Sequence, residues 1–367
     1  MREITFLIKP ASSSCNMKCK YCFYEDISCH RDTKNFGIMK KETAKKIIEN
    51  IFLNHEFENV HFAFQGGEPT LSGLDFFEYF ISLVNHNKKN TIVTYSMQTN
   101  GYNLDMNWII FFKKYKFLIG VSLDGFKENH DYYRKTNAND GTFSKVIENI
   151  QLLKENNIPY NILTVLTNRL ANYPKEVYNF YKNQNFQYIQ FIPCLPDLND
   201  DRNLHSLTPE KYHSFYKTMY ELWIEDIELG NYFSIGLFDN IASLLMRSFP
   251  QQCGFVGRCN IQYVIESDGS VYPCDFYVLD QYKLGNIKED SIESIQNHCV
   301  GKKFLADNVI PNICDTCRYK KICNGQCKRQ RTTFIKKDYC GYQKLLDDIL
   351  DDFYEHISMI CEVARKL

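Results

Sequence analysis

Residues 15–22 read Cys-Asn-Met-Lys-Cys-Lys-Tyr-Cys, which sets Cys15, Cys19 and Cys22 in a CxxxCxxC array. A four-iron cube normally takes four cysteine ligands, and no fourth cysteine follows at matching spacing. Three thiolates leave one iron open to oxygen and nitrogen ligands. A cluster of that kind can do chemistry as well as carry electrons. The alternative is a zinc knuckle. Zinc sites favour paired CxxC elements and four closed ligands, and Cys29, seven residues beyond Cys22, has no histidine partner in register.

At 367 residues the chain exceeds one ordinary domain and fits a barrel-sized domain with a smaller appendage. A hydrophobic share of 44% supports a large core. The formal net charge of −1 argues against nucleic-acid binding as the main task. Fifteen cysteines is an odd number, so complete intrachain disulfide pairing is excluded. The N-terminus holds no signal-like apolar run, and no stretch approaches a membrane span. The expectation is therefore a reducing cytoplasm with no membrane partner, where clustered cysteines read as metal ligands. An oxygen-sensitive open cluster adds the expectation of an anaerobic setting.

Strands are expected at residues 3–9, 60–64, 91–97, 117–123, 160–167 and 188–192. Helices are expected at 39–54, 74–84, 105–115, 143–156 and 174–183. The alternation predicts a parallel α/β domain of six strand–helix units. A doubly wound sheet fits the alternation as well. The placement of polar residues favours a barrel. They fall just after the strand ends, at Cys15, Gly67-Glu68, Gln98 to Asn100, Ser122 to Asp124 and Cys194, which is the active face of a barrel. Strands such as 117–121 are almost continuously apolar, as for a sheet buried on both faces. Thr208-Pro209-Glu210 predicts a helix start running to about Leu229, with a second helix at 237–247. A hairpin is expected around Asp268-Gly269, and an amphipathic helix at 342–367.

CxxxCxxC with an aromatic residue, Tyr21, before the last cysteine resembles the signature of radical S-adenosylmethionine enzymes. The resemblance implies a partial (β/α)6 TIM-like barrel over residues 1–235. It implies that the open iron chelates the methionine moiety and that reductive cleavage yields a 5′-deoxyadenosyl radical. Cofactor contacts are implied at Tyr21 and at Gly66-Gly67-Glu68, the start of Gly-Gly-Glu-Pro. There the glycines let a ligand approach bare backbone and the glutamate accepts from the amino group. Ser122, Arg134 and Leu195 match further cofactor positions. Alone, Arg134 reads as a solvated arginine and Leu195 as core.

From Cys253 onward cysteines recur at 253, 259, 274, 314, 317, 323, 327 and 340. Eight thiolates satisfy two fully ligated four-iron clusters; a pair of zinc ribbons is the alternative. The spacing resembles the SPASM extension of radical peptide-modifying enzymes, expected at 236–341. The resemblance assigns Cys253, Cys259, Cys274 and Cys327 to one auxiliary cluster. It assigns Cys314, Cys317, Cys323 and Cys340 to the other. With Cys15, Cys19 and Cys22, the cofactor expectation is S-adenosyl-L-methionine and three [4Fe-4S] clusters. Cys29, Cys194, Cys299 and Cys361 are left as ordinary reduced residues.

Tyr272-Pro273-Cys274-Asp275-Phe276-Tyr277, with Leu284-Gly285-Asn286-Ile287 and the N-terminal Leu7 to Ser13, is similar to the anaerobic sulfatase-maturating enzymes. These oxidise a cysteine or serine of a sulfatase to formylglycine. The resemblance implies a sulfatase polypeptide as substrate and a flavodoxin- or ferredoxin-type electron donor. It also implies Asp275 as general base, taking the acidic proton while the radical takes a Cβ hydrogen and an auxiliary cluster takes the last electron. The plainer reading of Asp275 is a turn cap. The rival function is a maturase forming thioether or carbon–carbon crosslinks in a ribosomal peptide. Only fourteen residues precede Cys15, so the leader-binding module many such maturases carry is not expected here. A second rival is a non-enzymatic electron carrier or zinc-binding interaction protein.

Overall fold

The structure, a computed structural model, describes residues 3–53, 57–199 and 204–365. Asn54, the expected end of one helix, residues 200–203 of the expected loop after Pro196, and Lys366 and Leu367 lie outside them.

The first half of the chain runs β1 (Glu3–Ile8), α1 (Phe23–Cys29), α2 (Lys41–Leu53), β2 (Asn59–Phe64), α3 (Leu74–Asn87), β3 (Ile92–Thr99), α4 (Met106–Tyr115) and β4 (Leu118–Ser122). Then follow α5 (Lys127–Tyr133), α6 (Phe143–Glu155), β5 (Tyr160–Leu166), α7 (Pro174–Asn183) and β6 (Tyr188–Pro193). Next come α8 (Pro209–Glu228), β7 (Ser234–Ile235), α9 (Gly236–Leu245), β8 (Val264–Ile265), β9 (Ser270–Tyr272) and β10 (Gly285–Asn286). The end of the chain is α10 (Ile292–Asn297), α11 (Cys299–Ala306), α12 (Lys320–Cys323), β11 (Ile335–Lys336), β12 (Tyr339–Cys340) and α13 (Gly341–Ala364).

Every strand and long helix expected from the sequence is present, with ends shifted by a few residues. The short helices α1 and α5 are additions. α1 follows Cys22 with no side-chain capping hydrogen bond to announce it. The cap read at Thr208 is present. Thr208 accepts from the Lys211 amide and Pro209 opens α8. Asp105 accepts from the Asn107 and Trp108 amides at the start of α4.

Two compact units are present, each built from three stretches of chain. The first comprises residues 1–122, 134–160 and 260–307, and the second residues 123–133, 161–259 and 308–367.

In the first unit, β1 to β4 pair in parallel in chain order. β8 then pairs in parallel with the free side of β1, and β9 and β10 follow antiparallel. The expected hairpin around Asp268-Gly269 is therefore part of this sheet. It sets Cys274 and Asp275 beside the end of β1, where the Cys15 loop begins. One face of β2 and β3 carries Val60, Phe62, Phe64, Tyr95 and Met97 into the core. Phe62 and Phe64 meet Phe80 edge-to-face with centroids 5.1 and 5.3 Å apart, a favoured aromatic geometry. The other face carries His61, Thr94 and Ser96. His61 bonds both hydroxyls at 2.8 Å. β2 and β3 alternate in burial along their length, and their second face borders a hollow.

In the second unit, β5, β6 and β7 pair in parallel. α8 packs along α13 through Tyr220, Trp223 and Phe353. The Trp223 indole donates to the Phe233 carbonyl at 3.0 Å, so its polar edge is satisfied inside the core.

Candidate active site

The cysteine loop and the Gly-Gly-Glu-Pro loop are zipped together by backbone bonds. The Gly67 amide donates to the Ser12 carbonyl and the Glu68 amide to the Ser14 carbonyl, each at 2.8 Å. A Cβ at position 67 would stand 2.0 Å from the Ser14 carbonyl oxygen. Only glycine permits this approach.

Glu68 is fully buried. One carboxylate oxygen accepts from the Thr70 amide, the Thr70 hydroxyl and the Thr99 hydroxyl at 2.7–3.0 Å, and the other from the Asn100 amide at 2.7 Å. Burial raises its pKa, and these donors oppose the rise. Glu68 ties the ends of β2 and β3, beside the bare backbone of Gly66 and Gly67.

Cys15 sits against Asn100, whose side-chain amide donates to Cys15 Sγ at 3.8 Å and to Asn16 Oδ1 at 2.7 Å. Burial pushes the Cys15 thiol up to about 11, so it stays protonated until a metal displaces the proton. Arg134 is buried. Its guanidinium donates to Cys19 Sγ at 3.9 Å and lies 5.5 Å from the Tyr21 ring centroid. The solvated-arginine reading does not hold: Arg134 joins two members of the cysteine loop. Ser122 is buried at the end of β4.

Asp275 is 8% exposed and begins the turn after Cys274. Lys9 Nζ lies 2.5 Å from its Oδ1. Gln65 donates to its Oδ2, and its own amide donates to Gln262 Oε1 at 3.0 Å. Next to it, Phe276 packs edge-on against Phe23, with centroids 5.2 Å apart. The first unit thus gathers Cys15, Cys19, Cys22, Tyr21, Gly66, Gly67, Glu68, Ser122, Arg134, Cys274 and Asp275.

The second unit holds Leu195, buried just after β6, and seven of the expected cluster ligands. Cys314, Cys317, Cys323 and Cys340 line one cavity with Ile313, Tyr319, Ile335 and Tyr342. Four thiols around one space, walled by apolar side chains, suit a fully ligated cube by donor chemistry. Burial pushes Cys323 up to about 12 and also raises Cys314 and Cys340. The loop from Cys253 to Cys259 lies against the loop from Cys323 to Cys327. A Cβ on Gly257 would come 2.2 Å from the Asn324 carbonyl oxygen, and the Cys259 thiol is raised further by Cys327. Among the described residues, no three His, Cys, Asp or Glu side chains form a site for a single metal ion. In a cube each thiolate binds its own iron, so its ligands need not meet at one point.

Several polar residues at these sites escaped the sequence reading. Lys9 is one, though a lysine closing an apolar strand was a legible oddity. Arg31 and Glu266 are a buried pair. Arg331 donates to the carbonyls of Gly325, Val309 and Gln326 and to Asn308. Its charge acts on a thiol of each auxiliary cysteine set, opposing the rise that burial gives Cys259 and Cys314.

Residues 10–181 match the radical SAM superfamily model, and residues 253–318 match an iron–sulfur cluster-binding domain. A cysteine-type anaerobic sulfatase-maturating enzyme of Clostridium novyi (strain NT) is 44% identical over 100% of this chain and 99% of its own. The chain belongs to the anaerobic sulfatase-maturating enzymes. A serine-type member from Bacteroides thetaiotaomicron is 31% identical over 100% of this chain and 92% of its own. The structure "Native anSMEcpe with bound AdoMet and Kp18Cys peptide" superposes with a TM-score of 0.89 at 36% identity. It covers 97% of this chain and 99% of its own. As a family member the chain is a radical S-adenosylmethionine barrel protein with an iron–sulfur SPASM extension. No described helix is long and apolar enough to cross a membrane.

Proposed function

We propose that the protein oxidises a cysteine of a sulfatase polypeptide to formylglycine. The observation that carries this reading is Asp275. The β8–β9 hairpin delivers it to the ends of β1 and β2, where Lys9 and Gln65 hold it. The choice of cysteine over serine rests on the higher identity to the cysteine-type relative.

When bound, the three-cysteine cluster with S-adenosylmethionine supplies a hydrogen-abstracting carbon radical, and the auxiliary clusters supply a sink for the odd electron. The rest is the work of the chain. Cys15, Cys19 and Cys22 hold the first cluster, and the eight later thiolates hold the others in the sets named above. The Gly66-Gly67 backbone gives the cofactor a surface free of side chains, with Tyr21, Glu68, Ser122, Arg134 and Leu195 as further contacts. Asp275 accepts the target thiol proton through its carboxylate. The target side chain thereby loses one proton, one Cβ hydrogen atom and one electron. The resulting thioaldehyde takes up water and releases hydrogen sulfide. We further propose a cytoplasmic setting, an anaerobic one, and a flavodoxin- or ferredoxin-type donor for the first electron. Residues 1–235 would form the catalytic barrel, 236–341 the cluster-binding extension and 342–367 the closing helix.

The test is incubation of the reduced, iron-loaded protein and S-adenosylmethionine with paired sulfatase-type peptides carrying cysteine or serine at the target. An aldehyde on the cysteine peptide supports the reading. A crosslinked product favours the ribosomal-peptide alternative.

A further inference from the structure

We propose that Lys9 is a positioning residue for Asp275, an inference that rests on Asp275 being the proton acceptor. Lys9 has no solvent exposure, and its place is fixed from several sides. Its amide donates to the Ile265 carbonyl at 2.8 Å, which ties it to β8, the first strand of the hairpin that carries Asp275. Its alkyl stem packs against Gly66, where an added Cβ would lie 3.2 Å from Lys9 Cβ. Its ammonium stands 3.7 Å over the Tyr24 ring and 2.5 Å from Asp275 Oδ1.

A carboxylate on a short turn can rotate about its side-chain bonds. Here Lys9 takes one oxygen and Gln65 the other, so the carboxylate plane is set by strands β1 and β2 and not by the turn. The same lysine touches the cofactor loop through Gly66. Proton acceptor and hydrogen-abstraction centre are thereby referred to one side chain. A buried ammonium without its carboxylate is strongly disfavoured, which keeps the pair closed before substrate arrives. No bond to Lys9 forms or breaks. The target proton passes to Asp275, and Lys9 retains its own.

Positioning predicts a loss of coupling rather than a uniform loss of activity. The readout is aldehyde formed per 5′-deoxyadenosine released, using a peptide deuterated at the target Cβ. In Lys9→Met this ratio is expected to fall by about tenfold or more, the range of a misdirected general base, while the released 5′-deoxyadenosine still carries deuterium. Lys9→Arg, which keeps the charge, is expected to recover part of the ratio. A wild-type ratio in Lys9→Met overturns the proposal. So does a parallel fall of aldehyde and 5′-deoxyadenosine, which marks a purely structural role. Should Lys9→Met not fold, Lys9→Met with Asp275→Asn removes both charges and leaves neither stranded. A ratio equal to that of Asp275→Asn alone supports the proposal, and a lower one overturns it. If the wild-type protein makes no aldehyde, the reading of the function fails; if only the ratio is unmoved, the inference fails alone.

Discussion

Arg31 Nη1 stands 2.7 Å from Glu266 Oε1, with neither side chain exposed to solvent. The same oxygen accepts from the Tyr24 hydroxyl. Arg31 follows α1 and Glu266 follows β8, so this pair bolts the hairpin that carries Cys274 and Asp275 to the segment that follows the cysteine loop. Burial pushes the Glu266 carboxyl up to about 7, and the charge of Lys9 pulls it back.

Removing one member leaves an uncompensated buried charge, which typically costs about 3–5 kcal/mol. Arg31→Met is therefore expected to lower the denaturant midpoint of the iron-loaded protein sharply. Arg31→Met with Glu266→Leu should lower it less than Arg31→Met alone. Additive losses from Arg31→Met and Glu266→Leu would show that the two residues do not act as a pair.

Gly67 meets the Ser14 carbonyl where a methyl group would have to go. Gly67→Ala is expected to part the two loops and to abolish S-adenosylmethionine binding, measured by equilibrium dialysis on reduced, iron-loaded protein. Gly236→Ala is the control, since a Cβ there meets nothing nearer than 3.7 Å. Binding that survives Gly67→Ala at wild-type strength would contradict the close-approach argument.

Much of this site was legible in the sequence. The cysteine spacings, the strand ends and the cap at Thr208 are local patterns, and local patterns survive in one dimension. The pairings Lys9 with Asp275 and Arg31 with Glu266 are different. Each joins residues more than two hundred positions apart, and isolated charges carry no period that betrays a partner. The protein partners of Glu68 were hidden for a related reason. Its motif announces a loop near a ligand, but whether the carboxylate faces that ligand or the loop depends on Thr99 and Asn100 from another strand.

Arg331 is buried and draws carbonyls of three residues onto one guanidinium. Arg331→Met strands those acceptors and removes the charge beside the Cys259 and Cys314 thiols. The expected result is protein that keeps its first cluster and loses auxiliary iron, falling from about twelve irons per chain toward about four. Iron and sulfide analysis with S-adenosylmethionine binding on the same sample checks this. Full iron in the variant would relegate Arg331 to the surrounding scaffold.

His356 on α13 lies 3.3 Å from Glu228 at the end of α8 and bonds the Asp352 carbonyl at 2.9 Å. The Asp352 carbonyl first, then the charges of Asp352 and Glu228, raise its pKa above the usual histidine value. A raised folded pKa means the contribution is complete below the unfolded value of about 6.5 and disappears as pH rises through the folded one. Screened by solvent, it amounts to about half a kcal/mol or less. His356→Gln should therefore lower the unfolding midpoint slightly at pH 5.5 and leave it unchanged at pH 8.5. A deficit that grows with pH would reverse the sign and refute the assignment.

The central claim is that a target cysteine gives up a Cβ hydrogen to the cofactor radical and its thiol proton to Asp275. The most direct measurement follows deuterium from a sulfatase-type peptide labelled only at the Cβ of that cysteine. The account predicts label in 5′-deoxyadenosine and an aldehyde on the peptide for the wild-type protein, with the aldehyde suppressed in Asp275→Asn. Unlabelled 5′-deoxyadenosine beside a modified peptide, or full aldehyde yield from Asp275→Asn, would contradict it.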